Sequence, residues 1–245
     1  MQPVDIWYKC DLYRAKIIFV TFLLILLSSM IVFGQGGDVI YNPNYDSRKV
    51  ITYGFSIGLH ASSFQMKYSQ AFVDMLDSVH SILPKWSIGF SLGFIINANL
   101  SEYLDFRLTP RVSFYEYKLE YNFLNASQRV EVEESTVVEL PLLVKYKSAR
   151  RRNTRMYFIG GLTPGFEASG TSDLQENADL LQIERFNLIL EIGFGLDKYY
   201  PLFKFSPEIR FSKGLVNLLS TRKNDLSEGI DRLNSNVIAI YFHFQ

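Results

Sequence analysis

The sequence predicts an all-β fold, an eight-stranded antiparallel barrel of the outer-membrane type with short amphipathic helices in its extracellular loops. Three observations carry this. Apolar and polar residues alternate with a period of two in eight successive segments. The polar side of the first two segments holds small residues instead of the Lys and Glu that a water-facing surface carries. A segment of export type stands in front of them.

That segment is residues 1–34. Lys9, Arg14 and Lys16 precede an apolar run from Ile17 to Met30, with Val32 and Gly34 three and one before Gln35, so cleavage is expected after Gly34. Ser28, Ser29 and Gly34 weaken the run as a membrane span, and Cys10 lies before it, which argues against lipid attachment at a processed cysteine. Residues 35–50 then form an N-terminal periplasmic segment, and 51–245 the barrel.

The first strand sets Ile51, Tyr53, Phe55, Ile57 and Leu59 against Thr52, Gly54, Ser56, Gly58 and His60. The second sets Trp86, Ile88, Phe90, Leu92, Phe94 and Ile96 against Ser87, Gly89, Ser91, Gly93, Asn97 and Asn99, with Ile95 its misfit. In the third, Leu104, Phe106, Leu108, Val112 and Phe114 oppose Asp105, Arg107, Thr109, Arg111 and Ser113; in the fourth, Val132, Val138, Leu140, Leu142, Val144 and Tyr146 oppose Glu133, Ser135, Glu139 and Lys145. The fifth, about Met156 to Ala168, is glycine-rich and ambiguous in its facing. The sixth opposes Phe186, Leu188, Leu190, Ile192, Phe194 and Leu196 to Arg185, Asn187, Glu191, Gly193, Gly195 and Asp197. The seventh opposes Phe203, Phe205, Ile209 and Phe211 to Lys204, Ser206, Glu208, Arg210 and Ser212, and the eighth turns Ile238, Ile240, Phe242 and Phe244 outward and Ala239, Tyr241 and His243 inward.

A soluble barrel with a greasy interior and a membrane barrel with a greasy exterior both produce this alternation. Gly, Ser, Thr and Asn on the polar side suit a narrow, crowded interior, and ridges at two-residue spacing match strands of ~9–11 residues crossing hydrocarbon. Trp86, Tyr103, Tyr146, Tyr157, Tyr199 and Tyr200 near strand ends read as an interfacial girdle. Short connections near Ser101, Arg151 and Tyr199 then face the periplasm. The long ones, about 65–85, 122–131, 169–182 and 213–235, face outward.

Composition bounds the chemistry. With 25 Lys+Arg against 25 Asp+Glu there is no basic field for nucleic acid, and a single cysteine excludes disulfides and a Cys-based zinc site. The interior charges Arg107, Arg111, Lys145, Lys204 and Arg210 nearly balance Asp105, Glu139, Glu191 and Glu208, and eight strands leave an interior filled by side chains. A structural ion-pair network is therefore expected. His60 beside Ser62 and Ser63 is the one local pair that a lipid hydrolase could use, and no metal-ligand spacing, cofactor motif or small-molecule site is evident, so no enzyme is expected. Phe72, Met75, Leu76, Val79 and Ile82 recur at helical spacing before Pro84 and predict a rim helix offering a partner surface; Leu226, Ile230 and Leu233 repeat the pattern more weakly. Lys147, Arg150, Arg151, Arg152 and Arg155 predict a basic periplasmic turn toward anionic lipid or an acidic partner.

Specific strings go beyond this grammar. VEESTVVELPLLVKYKSARRRNTRMYFIGG from Val132 to Gly161, EIGFGLDKYYPLFKFSPEIRFSKGLVNLL from Glu191, IDRLNSNVIAIYFHFQ at the end, LTPRVSF from Leu108 and YGFSIGLHASSF from Tyr53 resemble the PorT family of outer-membrane barrels associated with type IX (Por) secretion and gliding. Met156 and Gln245 depart from it, standing where that pattern has proline and a terminal acidic residue. The resemblance implies a non-enzymatic component for exporting or maturing surface proteins, with outer-membrane lipid and other secretion-system proteins as partners. A general small barrel for adhesion or envelope integrity is the alternative.

Overall fold

The computed structural model describes residues 39–42, 45, 50–69, 79–123, 129–170, 184–219 and 229–245. Eleven strands follow one another: β1 Ile51–Tyr68, β2 Val79–Lys85, β3 Ser87–Asn99, β4 Leu104–Leu108, β5 Arg111–Phe123, β6 Arg129–Glu139, β7 Leu142–Lys147, β8 Thr154–Gly170, β9 Phe186–Tyr199, β10 Lys204–Gly214 and β11 Ile230–Phe244. They merge into eight staves. β2 and β3 form one stave across Trp86, β4 and β5 one across Thr109-Pro110, and β6 and β7 one across Leu140-Pro141. Proline has no N–H to give, so the ladder breaks at Pro110 and Pro141. Their carbonyls still accept, from Phe94 N at 2.9 Å and Thr109 N at 3.2 Å, which carries the pairing past each break.

Every pairing is antiparallel, and the sheet closes on itself because β1 pairs with both β3 and β11. Closure leaves no open edge in hydrocarbon, where an unpaired backbone group has no water to turn to. The outward side is apolar and stays exposed: Ile88 is 81% exposed, Phe94 72% and Phe158 68%. Such an apolar surface around the whole ring belongs against lipid. The glycine-rich β8 resolves into Met156, Phe158, Leu162 and Phe166 outward and Arg155, Tyr157, Ile159 and Thr163 inward.

The strands run further than their apolar ridges suggest. β1 extends to Tyr68, β5 to Phe123 and β8 to Gly170, so the long connections shrink to 69–78, 124–128, 171–185 and 215–229. The expected rim helix is overturned where it can be seen: Val79 and Ile82 belong to β2, paired in register with Phe123 and Tyr121, while Phe72, Met75 and Leu76 lie outside the described residues. Ile230 and Leu233 likewise sit in β11, and Leu226 lies outside the described residues. Ladder hydrogen bonds from β5 and β1 hold these segments extended, and a 3–4 residue spacing over so short a stretch fits either conformation. The girdle also loses members. Trp86, Tyr103 and Tyr146 are exposed, but Tyr157 and Tyr199 are buried inside the barrel.

Candidate functional site

The functional geometry lies inside the barrel and at its two mouths. On β10, Lys204, Ser206, Glu208, Arg210 and Ser212 share the inward side because successive same-side residues are ~7 Å apart along a strand. That spacing lets Arg210 fold back on Glu208, to which it donates from both Nε (2.9 Å) and Nη2. Its Nη1 donates to Glu191 on β9 at 2.7 Å. Arg111 on β5 donates to Glu191 and to Glu139 on β6, each at 2.5 Å, and Arg107 on β4 reaches Glu208 at 3.1 Å. The result is one alternating chain across the lumen, Arg107, Glu208, Arg210, Glu191, Arg111, Glu139, every member at most 3% exposed.

Neighbouring groups add hydrogen bonds to the carboxylates of this chain. Tyr157 gives its hydroxyl to Glu208 at 2.8 Å, and Ser113 and Tyr115 both give theirs to Glu139 at 2.8 Å. His243 Nε2 stands 3.4 Å from Glu208. The Tyr241 ring lies 4.4 Å from the Arg210 guanidinium and 5.0 Å from that of Arg111. Gly195 makes room for Tyr157, since a Cβ there would meet the phenol oxygen at 2.5 Å and the Pro207 carbonyl at 2.8 Å.

A second set lies toward the short turns. Lys145 Nζ meets both oxygens of Asp197 at 2.6 and 2.8 Å, Ser206 donates to Asp197 at 2.6 Å, and the Tyr157 ring centroid lies 3.7 Å from Nζ. Lys147 pairs with Asp105 at 2.5 Å, and Asn97 bridges Asp105 to Arg107. Lys204 is buried with its ammonium 5.1 Å from the Tyr45 ring.

The nine lumen charges anticipated from the sequence therefore all lie buried in the barrel. Asp197, Lys147 and Arg155 join them. The basic turn is thereby corrected: Lys147 and Arg155 point inward, leaving Arg150, Arg151 and Arg152 at the turn itself. Parity gave the signal, because Lys147 continues the inward side of Lys145, Asp197 that of Glu191, and Arg155 that of Tyr157. Asp197 already stood on the polar side of the sixth segment, while nearness to a turn hid Lys147 and Arg155.

Arg150 is engaged by its own chain. It donates to the carbonyls of Tyr41, Asn42 (2.9 Å) and Arg152 (2.8 Å), with Tyr199 lying under its guanidinium at 3.7 Å. Asn42 reciprocates toward the Tyr200 and Pro201 carbonyls at 3.2 and 2.9 Å, and Tyr45 packs edge-on against Tyr199. Tyr41, Asn42 and Tyr45 thus lie against the short-turn mouth. Nothing in their sequence announced this.

At the other mouth the lumen is apolar. Phe64, Tyr115, Tyr117, Leu119, Leu218, Ile230, Leu233 and Val237 form one buried cluster, with Phe64 stacked on Tyr117 at 4.1 Å. His60 packs on Tyr115 at 4.4 Å, and Ser62 spends its hydroxyl on the Glu116 carbonyl, so no Ser–His pair forms between them. The cleft beside this cluster, running past Glu139 and Glu167, holds about 50 Å³. That is room for a few waters, far below the ~300 Å³ of a ligand pocket.

A closed ring, a lipid-facing apolar exterior and a charged, filled interior define the architecture. The sequence model for the outer membrane protein beta-barrel domain matches residues 42–220. The chain belongs to that family. It is an outer-membrane β-barrel. Among solved structures it is similar to Neisserial surface protein A (9% identity, TM-score 0.42, covering 80% of this chain and 98% of that one). It is also similar to the outer membrane protein OprG from Pseudomonas aeruginosa (12%, 0.44, 78% and 93%) and to Ail, the attachment invasion locus protein of Yersinia pestis (11%, 0.33, 78% and 96%). Comparison with curated proteins finds no match.

Proposed function

We propose that this outer-membrane barrel is a non-enzymatic accessory or assembly component of type IX protein secretion, acting through its rims and loops on other secretion proteins. One observation carries the mode of action: the lumen is filled across its width by the Arg107-to-Glu139 ion chain and closed above it by the apolar cluster around Leu233. Eight staves leave no channel for a folded or unfolded cargo, so the surfaces available for work are outside. The resemblance of Val132–Gly161 and the strings around it to PorT supplies the pathway. In this reading residues 1–34 are removed on export, the short turns face the periplasm with 35–50, and Phe72, Met75 and Leu76 offer apolar anchors at the opposite rim. The nine lumen charges hold the barrel's shape and have no catalytic part.

Deleting the gene tests this. Type IX cargo should accumulate inside the cell and be restored by the wild-type chain. Normal cargo release with altered adhesion or detergent sensitivity would overturn it in favour of a general envelope barrel.

A further inference from the structure

Above the lipid belt, the outer wall of the barrel carries charge unevenly. On the β2–β5 side, Lys85 and Lys118 stand directly opposite each other in the ladder. Like charges so placed repel, and here each has its own carboxylate: Lys85 meets Glu120 at 3.1 Å and Lys118 meets Glu116. A quarter of the way round the ring, at the β1–β11 seam, Lys67 of β1 and Arg232 of β11 are directly opposed in the same way. Lys213 of β10 adds a third cation to the same groove, and Asp231 pairs with Lys67 at 3.1 Å.

The groove between these residues holds about 420 Å³ and is lined by Gln65, Met66, Lys67, Lys213, Leu215 and Arg232 among others. Its wall is fixed by hydrogen bonds. Arg232 donates to the Leu215 carbonyl at 3.1 Å, and Asn234 holds the Gly214 and Val216 carbonyls at 3.0 and 2.9 Å. Lys213 lies two residues, ~7 Å, beyond the lipid-facing Phe211 on the same side of β10. Ile238 and Leu59 continue that apolar surface on the next two staves, β11 and β1.

We propose that this groove binds the phosphate-bearing headgroup of a membrane lipid, Lys67, Lys213 and Arg232 gripping the phosphate while the acyl chains run down over Phe211, Ile238 and Leu59. An anion relieves the opposed Lys67 and Arg232 as Glu116 and Glu120 relieve Lys118 and Lys85 two staves away. Continuity with the lipid belt favours a lipid over free phosphate, because only an amphiphile fills both the basic groove and the greasy surface below it. The proposal does not depend on the secretion reading.

The test uses the full-length barrel in phosphatidylcholine nanodiscs, given lipid A or its dephosphorylated form and then extracted into neutral detergent for native mass spectrometry. The wild type should retain one lipid A, and the dephosphorylated form should wash off. K67Q/K213Q/R232Q should retain lipid A about a hundredfold less well, while K85Q/K118Q matches the wild type. Equal retention of both lipids by the wild type, or of lipid A by the triple variant, overturns the proposal. So does displacement of lipid A by millimolar inorganic phosphate, which would make the site one for a soluble anion. The wild-type comparison of the two lipids decides the matter even if the triple variant does not fold.

Discussion

The lower and upper halves of the lumen are built on the same staves from opposite chemistry. On β5, Arg111 and Ser113 point inward opposite the outward Val112 and Phe114; a few residues on, Tyr115, Tyr117 and Leu119 point inward opposite Glu116, Lys118 and Glu120. β1 repeats the reversal, with Ser56 inward and Ile57 outward below, and Phe64 inward and Lys67 outward above. The period of two never slips. What changes is the medium outside: where it is hydrocarbon the greasy residues face out, and where it is water they turn in. The reversal marks the height at which the barrel leaves the membrane.

The two halves should therefore fail differently. The largest loss is expected from Arg210→Met, which strips the buried Glu191 and Glu208 of a shared partner; about 3–5 kcal/mol should disappear from urea unfolding in lipid vesicles. A smaller loss would mean that the neighbouring arginines take over. Next comes Leu233→Ala in the apolar half, about 2–4 kcal/mol, from a side chain that is wholly buried. Adding 1 M salt separates the two halves further: the buried ion chain should keep its contribution, and a drop in wild-type stability would indicate solvent access to it. Tyr157→Phe removes one hydroxyl donor to Glu208 and should cost about 1.5–3 kcal/mol, read as a lower temperature for the heat-modifiable shift on gels. Asp231→Asn, which leaves Lys67 without its exposed carboxylate, should move stability by less than about 1 kcal/mol.

This reversal also explains what could be read from the sequence alone. Eight staves, the facing of all but the glycine-rich fifth, and the nine lumen charges were legible because the pattern within the membrane is strict. Reading stopped at His60 and Phe114, where the apolar ridge ends, although the strands continue; Val79 and Ile82 then passed for part of a helix. Ile95, a misfit by hydropathy, is an inward residue 1% exposed. The partners of each charge were not legible, since Arg107 to Glu208 and Arg111 to Glu191 join staves far apart in sequence, and only the closed ring sets them face to face. The strap of Tyr41, Asn42 and Tyr45 depends on hydrogen bonds to backbone carbonyls, which leave no residue pattern.

The seam between the first and last staves has a consequence for how the barrel comes into being. β1 and β11 pair from Phe55 with Phe244 to Tyr68 with Ile230, so the first and last strands of the barrel must meet before their facing edges are satisfied. Contacts of such sequence separation carry a heavy loop-closure entropy and come late in folding. A chain stalled before Ile230 would have two raw edges, β1 and β10, that lipid cannot satisfy. Insertion is thereby coupled to completion: the final fifteen-residue strand acts as the latch without which the preceding seven staves have no stable home in the bilayer.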